Sequence, residues 1–118
     1  MRTRYADIPS NITKDGSEIR ELMHPVPHAN ANQSLAEAAV APGQTTALHR
    51  HLNSEELYHI TAGRGRMTLG DKQFEVGPGD TVCIPPGTPH CITNTGDELL
   101  RILCCCAPAY AHEDTELL

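Results

Sequence analysis

Four side chains in the middle of this sequence have the types and spacing to hold a metal ion. His49 and His51 form a His-x-His step, Glu56 follows, and His90 comes later behind a Pro-Pro-Gly-Thr-Pro turn. On a β-strand, His-x-His places both imidazoles on one face, roughly 7 Å apart along the strand. Imidazoles so placed can converge on a first-row transition metal. Three imidazoles and a carboxylate leave two open positions on a metal that prefers six ligands. A substrate can then chelate through two oxygens, or bind together with O2. The chemistry on offer is polarisation of a carbonyl, stabilisation of an enediolate, or activation of water. Fe, Mn, Ni, Co, Cu and Zn all tolerate this donor set, so the residues imply a divalent transition metal without choosing one.

The carboxylate is the least determined of the four. From His51 to Glu56 is an odd step, and an unbroken strand would point Glu56 away from the histidines. Asn53 and Ser54 are turn formers that can reset the phase. Glu55 is therefore an alternative on these grounds. Glu56 inward carries Tyr58 and Ile60 inward with it, whereas Glu55 inward carries Leu57 and His59. Tyr58, if inward, is either a phenol donor to a substrate or one more wall of the core. Cys91 directly follows His90 and so points away from the cluster. Nothing pairs a cysteine with a base at reactive spacing, which argues against thiol catalysis.

Positioning such a cluster needs strands, and the composition favours them. The chain has 118 residues, enough for a single domain with one core, read here as 1–118. Nine Gly and nine Pro imply many turns, as in an all-β fold. A net charge of −6, no Trp and a single Phe argue against a nucleic-acid surface. No apolar run is long enough for a membrane helix. The five cysteines, Cys83, Cys91 and Cys104 to Cys106, lack metal or disulfide-framework spacing, and read as free, buried thiols in a reducing cytoplasm.

Along the chain, residues 1–17 read as a polar, irregular arm. A strand is expected over 18–24, ended by Pro25-Val-Pro27, with His24 and His28 as loop histidines. Residues 34–41 have local helix propensity, but Pro42-Gly43 limits any helix to two turns and the His-x-His step needs a strand. Further strands are expected over 45–51, 56–62, 66–69, 73–76, 81–84, 90–94 and 99–106. Gly70-Asp71 marks a two-residue hairpin. Residues 107–118 form an acidic tail. Tyr110 and His112 could fold over a barrel mouth, but a frayed or partner-packed terminus is the favoured expectation. The whole reads as a small antiparallel barrel or sandwich.

The spacing resembles the two motifs of the cupin superfamily. Gly43, His49, His51, Glu56 and Gly63 match the first, and Gly79, Pro85, Gly87, His90 and Asn94 match the second. The gap between them, residues 64–78, resembles that of small bacterial cupins. The resemblance implies a double-stranded β-helix, a jelly-roll antiparallel barrel. It implies His49, His51, Glu56 and His90 as metal ligands, with Asn94 and the Pro85–Pro89 turn shaping the site. It also implies a metalloenzyme on a small oxygenated metabolite, a sugar or uronate isomerase or lyase, or a dioxygenase. A non-catalytic small-molecule binding or sensing module is the alternative, because one fold hosts many functions. Small cupins pack or exchange N-terminal strands, so a homodimer is expected.

Overall fold

Alternation of apolar and polar residues carries most of the chain into strands. The computed structural model describes residues 1–118, and eleven strands run through it. They are β1 (Ser10–Ile12), β2 (Glu18–Met23), β3 (Ser34–Val40), β4 (His49–His51), β5 (Glu55–Ala62) and β6 (Gly65–Leu69). Then follow β7 (Lys72–Val76), β8 (Thr81–Ile84), β9 (His90–Asn94), β10 (Leu100–Ala107) and β11 (Thr115–Leu117). Two one-turn 3-10 helices, Tyr5–Asp7 and His112–Asp114, are the only helical pieces. The strands form two antiparallel sheets, in the orders β1-β2-β3-β10-β5-β8 and β11-β4-β9-β6-β7. The fold is an all-β jelly roll, as the strand pattern and the cupin resemblance led us to expect.

The two inner faces share one core. On β5 the inward set is Glu56, Tyr58 and Ile60, and on β10 it is Leu100, Ile102, Cys104 and Cys106. Ile60, Met67, Ile84, Ile92, Leu100 and Ile102 are almost wholly buried and belong to one continuous apolar cluster. Each contributes roughly 1.5–3 kcal/mol by leaving water. The rest of the interior keeps polar groups, and there the site forms.

Residues 34–41 show tertiary context overriding propensity. Leu35-Ala-Glu-Ala-Ala is a good local helix former, yet β3 is a strand paired on both sides, with β2 and β10. The Gly70-Asp71 hairpin forms as expected. Gly70 takes φ +59° and no non-glycine residue has positive φ, the pattern of a type II′ turn.

Three expectations need correction. The arm is not irregular throughout, because β1 lies within it and pairs with β2. The strand expected over 45–51 is regular only at His49–His51, with Thr45 making an isolated bridge to Thr93. The tail is not frayed: β11 pairs with β4, placing Thr115 opposite His51 and Leu117 opposite His49. Lys14 Nζ ties the arm to the same tail by donating to the carbonyls of His112 (3.2 Å) and Thr115 (2.9 Å). Backbone groups left unpaired by short edge strands are satisfied this way.

Gly63 ends β5 at φ +84°, and a Cβ there would lie 2.6 Å from the Leu99 carbonyl oxygen. Gly63→Ala should therefore cost about 2 kcal/mol or more. Urea unfolding followed by circular dichroism checks this, and an unchanged midpoint would refute it.

Candidate metal centre

The register of the second sheet builds the histidine cluster. His49 and His51 project from β4 to one side, and β9 sets His90 directly opposite His49. Both strands turn these residues inward, so all three rings are buried. Ring centroids lie 4.2 Å apart for His49 and His90, 5.2 Å for His49 and His51, and 5.4 Å for His51 and His90. One ligand atom from each ring lies within 4.8 Å of the other two.

Glu56 arrives from the opposite sheet. Its Oε1 is 3.1 Å from His51 Nε2 and 3.4 Å from His90 Nε2. Glu56 is 6% exposed, whereas Glu55 is exposed and lies beside the Cys83 thiol. The phase reset between His51 and Glu56 has a visible cause. The Asp114 carboxylate accepts hydrogen bonds from the Asn53 backbone and side-chain N–H groups and from the Ser54 N–H. The bend at 52–54 is thus clamped by the tail.

The hydrogen-bond network assigns a proton to the same nitrogen of each ring. His49 Nδ1 lies 2.7 Å from the Ala47 carbonyl, and His90 Nδ1 lies 2.9 Å from the Thr88 carbonyl. Carbonyls only accept, so both Nδ1 atoms carry hydrogen. His51 Nδ1 lies 2.9 Å from Thr115 Oγ1, whose own hydrogen goes to the Ala111 carbonyl. His51 Nδ1 is therefore a donor too. With Nδ1 directed outward, the rings of His51 and His90 turn Nε2 toward Glu56, and that of His49 turns Nε2 toward Asp15. His90 Nε2 is buried and has no aligned hydrogen-bond partner. Imidazole Nε2 atoms oriented by a second hydrogen bond, together with a carboxylate oxygen, are the donor set a divalent first-row ion takes.

A narrow cleft opens from this cluster and is lined by both sheets, the arm and the tail. Tyr58, 5% exposed, belongs both to this wall and to the apolar core, with its ring 5.9 Å from His90. Burial first, and the nearby Glu56 charge second, raise its phenol pKa, so the hydroxyl stays protonated. Cys104 and Cys106 also line the cleft, and burial holds both thiols far above their usual range. All five cysteines are unpaired, but Cys83 is exposed, so the expectation of uniformly buried thiols fails there. Asn94 is 2% exposed; its side-chain amide donates to the Val40 and Glu98 carbonyls, joining β9 to the other sheet.

Several lining residues were not legible as such. Asp15, expected only in the irregular arm, places Oδ2 3.9 Å from His49 Nε2. Tyr110 sits with its ring 5.8 Å from that of His51. The tail thus does reach the site, against the expectation of a frayed end. Lys14, Glu21 and Thr115 also face the cleft. No spacing rule links residues 14–21 or 110–115 to residues 49–90; only the sheet topology does.

The acid response has a definite sign. Burial is the main reason the His49 pKa lies below its ordinary 6.5, with His90 adding to it, against the Ala47 hydrogen bond and Asp15. The unfolded chain then binds a proton that the folded chain refuses, so stability falls as pH drops below 6.5. Burial alone would raise the Glu56 pKa, but hydrogen bonds and charge from His51 and His90 outweigh it and hold it at about 2. Its contribution is complete above its ordinary value of 4.5 and is lost as pH falls toward about 2. Thermal melts of chelator-treated protein should therefore decline in two stages, and Glu56→Gln should remove the lower one. A melting temperature flat from pH 7 to pH 3 would contradict both shifts.

The comparisons with known proteins agree with this architecture. The cupin domain family model matches residues 36–106. The chain is 56% identical over 118 residues to MJ1618 of Methanocaldococcus jannaschii, covering 100% of this chain and 94% of that protein. It is 29% identical over 123 residues to the polyketide synthase CurC of Streptomyces cyaneus, covering 98% and 80% respectively. Its fold superposes on the polyketide cyclase RemF of Streptomyces resistomycificus with a TM-score of 0.79 at 26% identity, covering 91% of this chain and 78% of that one. The matched segment runs from β3 through β10 and contains both histidine-bearing strands, and by this match the chain belongs to the cupin family.

Proposed function

We propose that the protein is a metal-dependent enzyme acting on a small oxygenated metabolite, with His49, His51, His90 and Glu56 as the metal's ligands. The observation that carries this reading is the convergence of the three rings and one carboxylate. With every Nδ1 held from behind, three Nε2 atoms and a carboxylate oxygen meet in a buried volume. Such a set suits a shared divalent cation. A bound divalent ion would polarise a carbonyl oxygen and offset the negative charge of an enolate or enediolate.

The chain's own residues narrow the substrate. Lys14 is the only cationic side chain among the cleft residues besides the histidines, and its ammonium is committed to two main-chain carbonyls. A phosphorylated ligand is therefore poorly served. Asp15, Glu21 and Glu56 make the cleft acidic, which suits a neutral molecule rich in hydroxyl and carbonyl groups. Ala36, Ala38 and Ile19 give it a smooth apolar wall that excludes water from one side. Tyr58 supplies a protonated phenol as hydrogen-bond donor. The names of two relatives, a polyketide synthase and a polyketide cyclase, agree with a substrate bearing carbonyl and enol oxygens.

We also infer a homodimer in a reducing compartment such as the cytoplasm. Register places Leu35, Cys105, Leu57 and Cys83 in one row across the outer face of the larger sheet, and Leu35 and Leu57 are exposed. A row of this kind favours burial against a second copy. No helix is long and apolar enough to cross a membrane.

Elemental analysis of freshly purified protein should find about one transition-metal ion per chain. His49→Ala, His51→Ala and His90→Ala should each lose most of it, Glu56→Gln should weaken retention, and Glu55→Gln should leave it intact. Full occupancy in all three histidine variants would end the assignment. Oxygen uptake and product analysis with keto acids, catechols, sugars and uronates then separate an enzyme from a silent binding module. Full metal without turnover on any of them would favour the module. Light scattering at micromolar concentration should return the mass of two chains, and that of one chain would refute the dimer.

A further inference from the structure

Glu21 lines the cleft but has no task in the metal reading. Its Oε1 is buried and accepts no hydrogen bond from the protein. A buried carboxylate oxygen without a donor is costly, and native structures rarely leave one so. Asp15 differs, because its Oδ1 accepts from Thr13 Oγ1, the Ser17 N–H and Ser17 Oγ.

No group of the protein donates to this oxygen, and His24 and Lys14 are committed elsewhere. His24 Nδ1 accepts from the Val26 N–H, so its Nε2–H donates to the Tyr110 carbonyl at 2.6 Å. His28 Nδ1 accepts from the His24 N–H. Lys14 is held by two carbonyls. Glu21 lies in the regular part of β2, and the β2–β3 register shifts only beyond it, between Glu21 and Met23. Before the shift Glu21 stands opposite Ala36, which stands opposite Cys104, which stands opposite Tyr58. Glu21 is thus three strands from Tyr58, roughly 14 Å along the curled sheet at normal strand spacing. It also borders the outer groove of His24, Tyr110 and His112. The cleft therefore has two polar ends with an apolar wall of Ala36 and Ala38 between them.

We propose that Glu21 is a specificity-determining residue, accepting a hydrogen bond from a hydroxyl of a ligand whose other end carries the vicinal oxygens that face the histidine cluster. The ligand class is a short diol or enediol with a further hydroxyl across an apolar spacer. The proposal rests on the metal reading above. Burial, only partly offset by His24 and His28, raises the Glu21 pKa, as expected of a carboxyl group that lacks a donor in the free protein.

The test uses zinc-loaded protein and matched catechol probes under argon, with binding measured by calorimetry. One series carries a terminal hydroxyl on an alkyl arm of one to three carbons; the other carries the same arm without it. In the wild type the best hydroxylated probe should bind roughly tenfold tighter than its mate. Glu21→Leu should abolish that preference, while Glu21→Gln, which keeps an acceptor, should retain part of it. Zinc content and affinity for the unhydroxylated probe should not change in either variant. Ligand-free Glu21→Leu should melt no lower than wild type, because it removes an unpaired buried carboxylate; a purely structural role would lower it. If the leucine variant does not fold, Glu21→Ala takes its place. A preference that survives removal of the carboxylate overturns the proposal. So does wild-type protein that binds plain catechols with no preference at any arm length, which would leave Glu21 a water-bound residue. Wild-type protein that fails to hold zinc overturns the metal reading, and this proposal falls with it.

Discussion

Bringing four ligand-type groups into one buried volume is the constraint on which the rest of the structure depends. Nitrogens of three imidazoles and a carboxylate oxygen converge within a few ångströms, out of water. In a low-dielectric interior a buried carboxylate needs positive charge or hydrogen-bond donors beside it. The protein holds it together because each group is pinned from behind. Ala47, Thr88 and Thr115 accept the outward Nδ1–H groups, and strands on two different sheets fix the side-chain directions.

This explains why segments remote in sequence are drawn to one end of the barrel. The tail turns back so that Thr115 can orient His51 and Asp114 can hold the bend before Glu56. The arm contributes Lys14 to the tail carbonyls and Asp15 to the rim of the cluster. Asn94 fastens β9, and with it His90, to the opposite sheet. These contacts lie outside the four ligand-type residues, yet their geometry sets the site.

The barrel is correspondingly divided. One part of its interior is packed with isoleucine, leucine and methionine and supplies the hydrophobic free energy. The other part forgoes some of that gain to keep a polar cleft with an acidic rim. The unpaired Glu21 oxygen belongs to this part. Groups left unsatisfied in the free protein concentrate where a ligand would sit, as expected when stability is traded for recognition.

Much of the strand framework was legible in the sequence, because alternation with period two and turn residues report directly on half-buried strands. An antiparallel barrel or sandwich follows from the strand and turn pattern, and the resemblance of the two motifs to those of cupins implied the jelly roll and the grouping of His49, His51 and His90. Other features depend on contacts that local sequence does not encode. Glu55 and Glu56 are equivalent until a turn is placed between them and His51, and that turn is held by Asp114, some sixty residues away. Tyr110 and Thr115 reach the site only because β11 pairs with β4. Asp15 and Glu21 read as part of an irregular arm and an ordinary strand position until the fold brings both to the cleft. The sequence by itself determined which residues alternate and which could bind a metal. Glu56 was named only through the motif resemblance; tertiary structure supplied the contact that turns it inward and decided which distant side chains complete the site, because those choices are made by hydrogen bonds and strand pairings between parts of the chain far apart in order.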